Sequence, residues 1–298
     1  MTFIENGSNL LITGIPCLNL DLTLDCGQTF RYVKSTDGFW RAPVGNRILE
    51  VKQEALSIFS KEWEEVDGIY YPYGEGSGSL LFLNMTEKEF KERWIHYFDL
   101  ENDYRAICKP FQEDSALWEA YTSCYGIRVL NQEPWETLCT FLISQNNNIP
   151  RIKSITENLC RRFGDSLGDT WHSFPKPDTL ASLTKEDLEP LRSGYRAAYI
   201  LDGAKKVSDG TINLNYINSL SLEEAEKEIR KIKGVGPKVA QCYLLFGGEK
   251  KNAFPKDVWV KRILSELYPN GLPNCTKDVE GIAQQYLFHW RRTIFNNI

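Results

Sequence analysis

The strongest constraint on the fold is a change in the pattern of apolar residues at about residue 110. Before it, short apolar stretches such as NLLITGI, LNLDLTL and RILEV are separated by Gly, Asp and Asn, which is typical of strands and turns. After it, helix start signals such as Pro134 and Pro150 precede longer apolar-rich segments. The sequence therefore predicts an α+β protein, with an antiparallel β-rich N-terminal domain over 1–110 and an all-helical region over 111–298.

Three pairs of residues have the spacing of a capping box, in which the side chains of a helix start satisfy each other's backbone N–H groups. We expect a helix to begin at each of them: Thr86 with Glu89, Thr184 with Asp187, and Ser221 with Glu224.

The charge of the whole chain hides a local contrast. The formal net charge is −5, which by itself argues mildly against a nucleic-acid partner, because nucleic-acid-binding domains are usually basic. Residues 1–110 hold 11 Lys and Arg against 17 Asp and Glu. The segment from Arg230 to Arg262 holds nine Lys and Arg against two Asp and Glu, a net charge of +7. A basic patch on an otherwise acidic protein is therefore expected.

Composition excludes several other classes of protein. With 42% hydrophobic and 25% charged residues, the chain has the ordinary mix of a globular protein. The N-terminal segment lacks a basic stretch followed by a long apolar run, and no apolar run approaches the ~20 residues that cross a bilayer. We expect a monomer without membrane contact, located in the cytoplasm and associated with the nucleoid if the source is bacterial.

The eight cysteines are scattered and include no CxxC pair. This spacing fits neither a zinc ribbon nor a four-cysteine iron–sulfur site, so no metal ligands and no cofactor are expected. In a cytosolic protein the default state of such cysteines is the reduced thiol.

The most informative segment is IRKIKGVGPKVAQCYLLF, within residues 228–246. We expect one helix to end at about Lys233, Gly234 and Gly236 to form a tight turn, and a second helix to begin at Pro237. The N–H groups of such a turn and helix start point outward, and phosphate is their natural ligand. The segment therefore predicts a helix-hairpin-helix element that holds the DNA backbone.

Lys238 is followed nineteen residues later by Asp257, at the expected start of another helix. Hairpin, lysine and aspartate at this separation resemble the helix-hairpin-helix superfamily of DNA base-excision glycosylases, whose members with this lysine are glycosylase/lyases. The resemblance implies that the Lys238 amine attacks C1′ of deoxyribose and forms a Schiff base, which permits β-elimination. Asp257 would stabilise the positive charge that develops as the base departs.

Two further segments resemble the lesion pocket of the 8-oxoguanine DNA glycosylase/lyase branch. DCGQTFRY contains Gly27 and Gln28, and AQQYLFHW contains Gln284 and Phe288. The resemblance implies that the Gly27 carbonyl accepts a hydrogen bond from N7–H of 8-oxoguanine, a hydrogen that guanine lacks. Cys242 and Phe288 would form the walls of a slot for the flipped base, and Gln284 would contact its Watson–Crick edge. Gln285 and His289 are the alternatives to Gln284 in this register.

Two more segments, ISQNNNIPRI and SGYRAAYI, resemble the part of this branch that faces the orphaned cytosine. The resemblance implies that Asn146, Arg151 and Arg196 contact that cytosine, while Tyr195 fills the gap left by the flipped base. The partner is then double-stranded DNA that contains oxidised guanine. The sequence leaves open whether a monovalent cation binds at the hairpin and which opposite base is preferred.

Three positions depart from the family pattern. Trp259 stands where eukaryotic members have histidine. It is a candidate DNA contact, but the role of that histidine cannot be carried over to it. Lys256 stands where an apolar residue is expected, and Gln241 where an acidic residue is common. Two other functions stay open on the sequence alone: a monofunctional alkylbase glycosylase, against which Lys238 argues, and a non-catalytic helix-hairpin-helix DNA-binding protein, against which Asp257 argues.

Overall fold

A computed structural model describes residues 1–54, 64–66, 69–71, 78–168 and 170–296. In the N-terminal part, six antiparallel strands form one sheet in the order β1-β2-β8-β5-β4-β3, and β6 pairs with β7. The strands are β1 (Thr2–Asn6), β2 (Asn9–Ile15), β3 (Val33–Lys34), β4 (Trp40–Val44), β5 (Arg47–Glu54), β6 (Glu64–Val66), β7 (Ile69–Tyr71) and β8 (Gly78–Phe82). The predicted antiparallel β-rich N-terminal part is confirmed.

The remainder of the described chain is mostly helical, as predicted. The helices are α1 (Leu20–Asp25), α2 (Glu87–Glu89), α3 (Ile95–Tyr97), α4 (Tyr104–Cys108), α5 (Ser115–Ser123), α6 (Pro134–Ser144), α7 (Ile149–Phe163), α8 (Pro177–Ala181), α9 (Lys185–Leu188), α10 (Arg196–Ser208), α11 (Leu214–Ser219), α12 (Leu222–Ile229), α13 (Pro237–Phe246), α14 (Val258–Leu267) and α15 (Glu280–Asn296). A π-helical turn (Phe90–Trp94) joins α2 to α3.

The capping signals predict the helix starts well. Thr184 with Asp187 and Ser221 with Glu224 both form complete capping boxes, at the starts of α9 and α12. At α2 the Thr86 side chain accepts from the backbone N–H of Glu89, so this helix also begins where expected. Local side-chain chemistry is sufficient at these positions because the bonds join residues only three apart.

The strand predicted for the stretch LNLDLTL is wrong. Residues Leu20–Asp25 form helix α1, because the Asn19 side chain accepts the backbone N–H of Leu22 at 3.0 Å and caps the first turn. Leu20, Thr23 and Leu24 are buried, so the apolar alternation that resembles a strand is one face of a short helix. This helix ends at Asp25, two residues before Gly27.

The described residues form two hydrophobic cores, and along the chain the change from one core to the other falls between Leu100 and Tyr104. One core lies between the sheet and α2–α3, and the other lies among the helices. The segments interlock, because Cys17, Cys26 and Phe30 pack into the helical core, while Leu130 packs into the core of the sheet. Residues 26–30 are therefore held against the helical part of the protein.

The buried Arg128 side chain strengthens this connection. Its guanidinium donates to the carbonyl oxygens of Pro16, Cys17 and Asp99, at 2.9, 3.0 and 2.6 Å. Hydrogen bonds from a charged donor in the interior are strong, and losing them leaves the carbonyls unsatisfied. The orientation of the sheet relative to the helices is thus fixed by polar as well as apolar contacts. Among the residues described, no helix is both long and apolar enough to span a membrane.

Candidate active site

The predicted hairpin is present between α12 and α13. Gly234 adopts a left-handed conformation with φ of +85°, and a Cβ at this position would lie 2.2 Å from a ring carbon of Tyr199. Gly236 has ordinary backbone geometry (φ −86°), and a Cβ there would meet no atom within 4 Å. Gly234 is therefore required by the protein's own packing, whereas Gly236 leaves open space in front of the turn.

Two side chains of helix α10 hold the backbone of the hairpin. The Asp202 carboxylate accepts the backbone N–H of Lys233 at 2.7 Å, and the Lys206 ammonium donates to the backbone carbonyl of Lys231 at 2.7 Å. Asp202 and Lys206 also pair with each other at 2.9 Å. These bonds fix the backbone just before Gly234. Within the turn, the N–H groups of Val235 and Gly236 donate to the carbonyls of Ile232 and Gly234, at 3.1 and 3.2 Å.

Lys238 and Asp257 lie at the starts of two neighbouring helices, as predicted. Lys238 is exposed in the first turn of α13, and Asp257 caps α14 by accepting the backbone N–H of Val260 at 2.8 Å. Burial raises the pKa of the Asp257 carboxyl above its ordinary value, although the bond from Val260 and the positive charge of Lys238 oppose this. The charge of Lys238 therefore acts directly on the carboxylate.

Cys242 lies one helical turn after Lys238 and is buried. Burial raises the pKa of its thiol to about 12, against the effect of the Lys238 charge and with that of the Asp257 charge. The thiol is thus neutral near pH 7. A neutral sulfur beside the amine and the carboxylate suits the wall of a binding site rather than a second nucleophile.

Gly27 and Phe288 come together across 261 positions of sequence. A Cβ at Gly27 would lie 3.7 Å from Cε1 of the Phe288 ring, and the φ at Gly27 is +86°. A Cβ at this distance would make an ordinary van der Waals contact with the ring, so it is the positive φ that favours glycine here. The structure therefore brings these two predicted pocket residues into contact.

Arg292 is a residue that the sequence analysis missed at this site. Its guanidinium lies 5.8 Å from the centroid of the Phe288 ring and donates to the carbonyl of Asp25 at 3.3 Å. Arg292 follows Phe288 by four residues on α15, so helical spacing was the available signal. It joins the segment before Gly27 to the helix that carries Phe288.

Gln284 is buried on α15, and its amide oxygen accepts from the Gln285 side chain at 2.7 Å. The Gln285 amide oxygen and His289 Nδ1 are both buried with no hydrogen-bond partner in the protein. Burial and the nearby Arg292 charge lower the pKa of His289, so its ring is neutral near pH 7. All three candidates for contact with the base edge therefore lie on α15 near Phe288.

Gln28 is wrongly predicted as a pocket residue. It is fully buried, and its amide donates to the carbonyls of Thr23 and Arg128, each at 2.8 Å. Its oxygen accepts the backbone N–H of Leu130 at 2.8 Å. Since both ends of the amide bond to the protein backbone, Gln28 connects the N-terminal part to residues 128–130 and has no contact with the pocket.

The opposite-base candidates lie around the turn before α7. Asn146 is exposed in a left-handed conformation, with φ of +46°. Arg151 is exposed on the first turns of α7, and its guanidinium donates to the carbonyl of Arg192 at 3.0 Å. Tyr195 is 50% exposed and packs edge-on against Tyr199 at 5.5 Å. These three side chains form one open surface.

Arg196 differs from its prediction as a direct cytosine contact. It is 4% exposed, and its guanidinium donates to the carbonyls of Gln145, Asn146 and Ser193. The buried cation is engaged by backbone oxygens, so it holds the turn that presents Asn146. In this structure its role is to position that turn rather than to face a base.

Trp259 is half-buried on the first turn of α14, two residues after Asp257. The Arg262 guanidinium lies 5.4 Å from the centroid of its ring, which is a favourable cation–π distance. The indole therefore stands next to the predicted catalytic aspartate together with a positive charge. Within the described residues, no cluster of three or more His, Cys, Asp or Glu side chains could hold a metal ion.

Comparison with known proteins places the fold and this geometry in one class. Residues 139–286 match the family model of the HhH-GPD superfamily of base excision DNA repair proteins. The chain is thus a helix-hairpin-helix base-excision repair protein. Residues 11–138 match the N-terminal domain of 8-oxoguanine DNA glycosylase.

Individual relatives identify the family within this superfamily. The chain is 39% identical over 263 residues to the N-glycosylase/DNA lyase of Saccharomyces cerevisiae, which covers 82% of this chain and 67% of the relative. The structure of MBOgg1 with a low-affinity DNA ligand is 35% identical, with a TM-score of 0.85 over 99% of both chains. The Clostridium acetobutylicum 8-oxoguanine glycosylase/lyase, bound to double-stranded DNA with cytosine opposite 8-oxoG, is 32% identical, with a TM-score of 0.84 over 100% of this chain and 99% of that one. This chain belongs to the 8-oxoguanine DNA glycosylase family.

Proposed function

We propose that this protein excises 8-oxoguanine from double-stranded DNA and cleaves the strand through a Schiff base on Lys238. The observation that carries the proposal is the pairing of Lys238 with Asp257 beside the hairpin. An exposed amine is available to the sugar, and a half-buried carboxylate lies within its electrostatic reach. Membership in the 8-oxoguanine DNA glycosylase family supports the choice of lesion.

The proposed reaction uses both side chains in sequence. The hairpin N–H groups bind a backbone phosphate and bring the lesion strand to Lys238. As the bond between C1′ and N9 breaks, its electron pair leaves with the base, and the Asp257 carboxylate stabilises the cationic sugar. The neutral Lys238 amine adds to C1′ and loses a proton, which gives a ring-closed aminal. The C1′–O4′ bond then breaks, O4′ takes up a proton, and C1′ and the lysine nitrogen form the Schiff base. Loss of a C2′ proton then expels the 3′ phosphate by β-elimination.

The proposed lesion slot lies between Gly27 and Cys242, with the Phe288 ring as a wall. The carbonyl of Gly27 accepts a hydrogen bond from N7–H of 8-oxoguanine, whereas the bare N7 of guanine would repel it. An unsatisfied buried carbonyl costs about 1–3 kcal/mol, which sets the scale of discrimination at this contact. The contact between Gly27 and Phe288 supports this arrangement.

We propose that the opposite base is cytosine. The exposed surface of Asn146, Arg151 and Tyr195 supports a direct reading of the orphaned base, and Arg196 holds the turn that presents Asn146. Arginine provides two donors that match the acceptor edge of cytosine. The enzyme would act where chromosomal DNA lies, which in a bacterium is the nucleoid in the cytoplasm.

Borohydride trapping on a duplex with 8-oxoguanine opposite cytosine tests the proposal. Wild-type protein should form a covalent adduct, and Lys238→Gln should form none while still binding the duplex. Lys185→Gln, which changes an exposed lysine of α9, is the matched control and should trap normally. Base release without any trapped wild-type adduct would indicate a monofunctional glycosylase. Tight binding without base release would indicate a DNA-binding protein without catalysis.

A further inference from the structure

We propose that Gln241 and Glu226 form a positioning pair that sets the loop carrying Asp257. This inference rests on the proposed function, since it concerns the placement of the catalytic carboxylate. Gln241 lies on α13 one turn after Lys238, and Glu226 lies on α12, the other helix of the hairpin. Neither side chain touches the reacting atoms in the proposed mechanism.

The pair is connected to the loop by two short hydrogen bonds. The Gln241 amide nitrogen donates to the Glu226 carboxylate at 2.6 Å. The Gln241 amide oxygen accepts the backbone N–H of Phe254 at 2.7 Å. Phe254 precedes Asp257 by three residues, and the intervening Pro255 is buried and restricts the chain. Fixing the backbone at Phe254 therefore limits where the Asp257 carboxyl can lie.

Glutamine is chemically suited to this position. The amide is both a donor and an acceptor, and here each function has one partner. An acidic residue could accept from the Phe254 N–H but would face the Glu226 carboxylate with no proton between them. The acidic residue common in the family at this position is thus incompatible with Glu226, unless residue 226 becomes a donor.

The surroundings of the pair connect it to the site. A groove of about 1350 Å³ is lined by Glu226, Lys238, Gln241, Phe254 and Lys256. Glu226 also pairs with Arg230 at 3.4 Å, so its carboxylate is held by a second partner besides Gln241. The same groove wall thus carries the nucleophile and the pair, and it leads to the residue directly before Asp257.

Exchange of the two side chains tests the proposal. Gln241→Glu should lower the single-turnover rate of base excision about tenfold, since small displacements of a catalytic group are costly. Gln241→Met removes both bonds without adding charge and should also slow excision. In Glu226→Gln/Gln241→Glu, the carboxylate at 241 accepts from Phe254 and the amide at 226 donates to it, so the rate should return to within about threefold of wild type.

Two measurements separate positioning from general destabilisation and from failure of the proposed function. The Kd for lesion-containing DNA and the melting temperature of the Gln241→Met variant should change little while its rate falls. Hydrogen exchange of the Phe254 amide, which needs no activity, should be slow in wild type and in the double variant and fast in Gln241→Met. Wild-type excision rates for Gln241→Met, or a double variant as slow as Gln241→Glu, would overturn the proposal. Absence of excision by wild type would contradict the proposed function but leave the exchange result intact.

Discussion

Asp257 combines partial burial with a cap position at the start of α14. Its raised pKa means that the carboxyl takes up a proton at a higher pH than an ordinary aspartate, whose pKa is about 3.9. The proposed mechanism needs the carboxylate, so the excision rate should fall as the pH falls through that raised value. Single-turnover rates between about pH 4 and 8 measure this. Asp257→Asn should be slow throughout and should lack the acid limb; an unchanged limb would assign it to another group.

Gln28 shows how a residue in a family signature can be purely structural. Gln28→Ala would leave the Leu130 N–H and the Arg128 carbonyl unsatisfied in the interior and would remove the amide bond to the Thr23 carbonyl. Each such group costs about 1–3 kcal/mol, so the free energy of unfolding should fall by on the order of 3–5 kcal/mol. Urea denaturation measures the loss, and the exposed Gln112→Ala is the matched control. A loss below about 1 kcal/mol would contradict the assignment.

Arg151 and Arg196 should respond differently to removal of their side chains. Arg151 is exposed, so Arg151→Ala should relax the preference for cytosine more than it slows excision. Arg196 holds the Asn146 turn from within the protein, so Arg196→Ala should slow excision opposite every base and lower stability. Parallel assays with C, A, G and T opposite the lesion distinguish the two. Equal loss of selectivity in both variants would show that Arg196 reaches the base.

We expect DNA binding to depend most on the hairpin, whose two glycines have different surroundings. Gly234→Ala should lower the melting temperature and weaken DNA binding, because a Cβ would collide with the Tyr199 ring and φ is positive. Gly236→Ala should leave the melting temperature unchanged, because its Cβ enters open space. It should still weaken DNA binding if a phosphate approaches the turn closely. Thermal melting with a binding titration checks both, and wild-type affinity in Gly236→Ala would place the phosphate elsewhere.

At the level of elements, the sequence predicts those whose signals are local. The capping boxes of α9 and α12 join residues three apart, Gly234 permits a positive φ in the hairpin, and Pro237 restricts the start of α13. The segment Leu20–Asp25 was mispredicted because its apolar residues fit a strand or a short helix equally well. The Asn19 cap and the burial of one face decided between them.

Across the whole molecule, the net charge of −5 and the charge of the basic segment Arg230–Arg262 must be considered separately. Within Arg230–Arg262, Arg230, Lys231 and Lys251 pair with carboxylates. In the described part of the chain, five lysines of this segment have no ion-pair partner: Lys233, Lys238, Lys250, Lys256 and Lys261. The Lys250 ammonium donates to the backbone carbonyl of Asn218 at 2.7 Å, which leaves the other four to contact DNA. Fewer positive charges of this segment are therefore available to bind DNA phosphates than its net charge of +7 indicates.

A footprint of about four lysines predicts a modest salt dependence of non-specific DNA binding. Each neutralised phosphate contributes about −0.9 to the slope of log K against log salt concentration, so the slope should be about −3 to −4. Binding titrations on an undamaged duplex at several salt concentrations measure it. Lys261→Gln should reduce the slope by about one, whereas Lys88→Gln, on α2 of the N-terminal part, should not change it. A slope steeper than about −6 would require a larger surface than this one.

The class of fold, the hairpin and the placement of Lys238 and Asp257 at two helix starts could be predicted from the amino-acid sequence alone. These features depend on short-range signals: apolar periodicity, turn glycines, and a lysine and an aspartate placed at two helix starts. The contacts of Gln28, Arg196 and Arg292 and the bond between Gln241 and Glu226 could be found only from the three-dimensional structure. Each of these depends on which distant backbone or side-chain group lies within about 3 Å to 6 Å, and that is set by the packing of the two cores rather than by spacing along the chain.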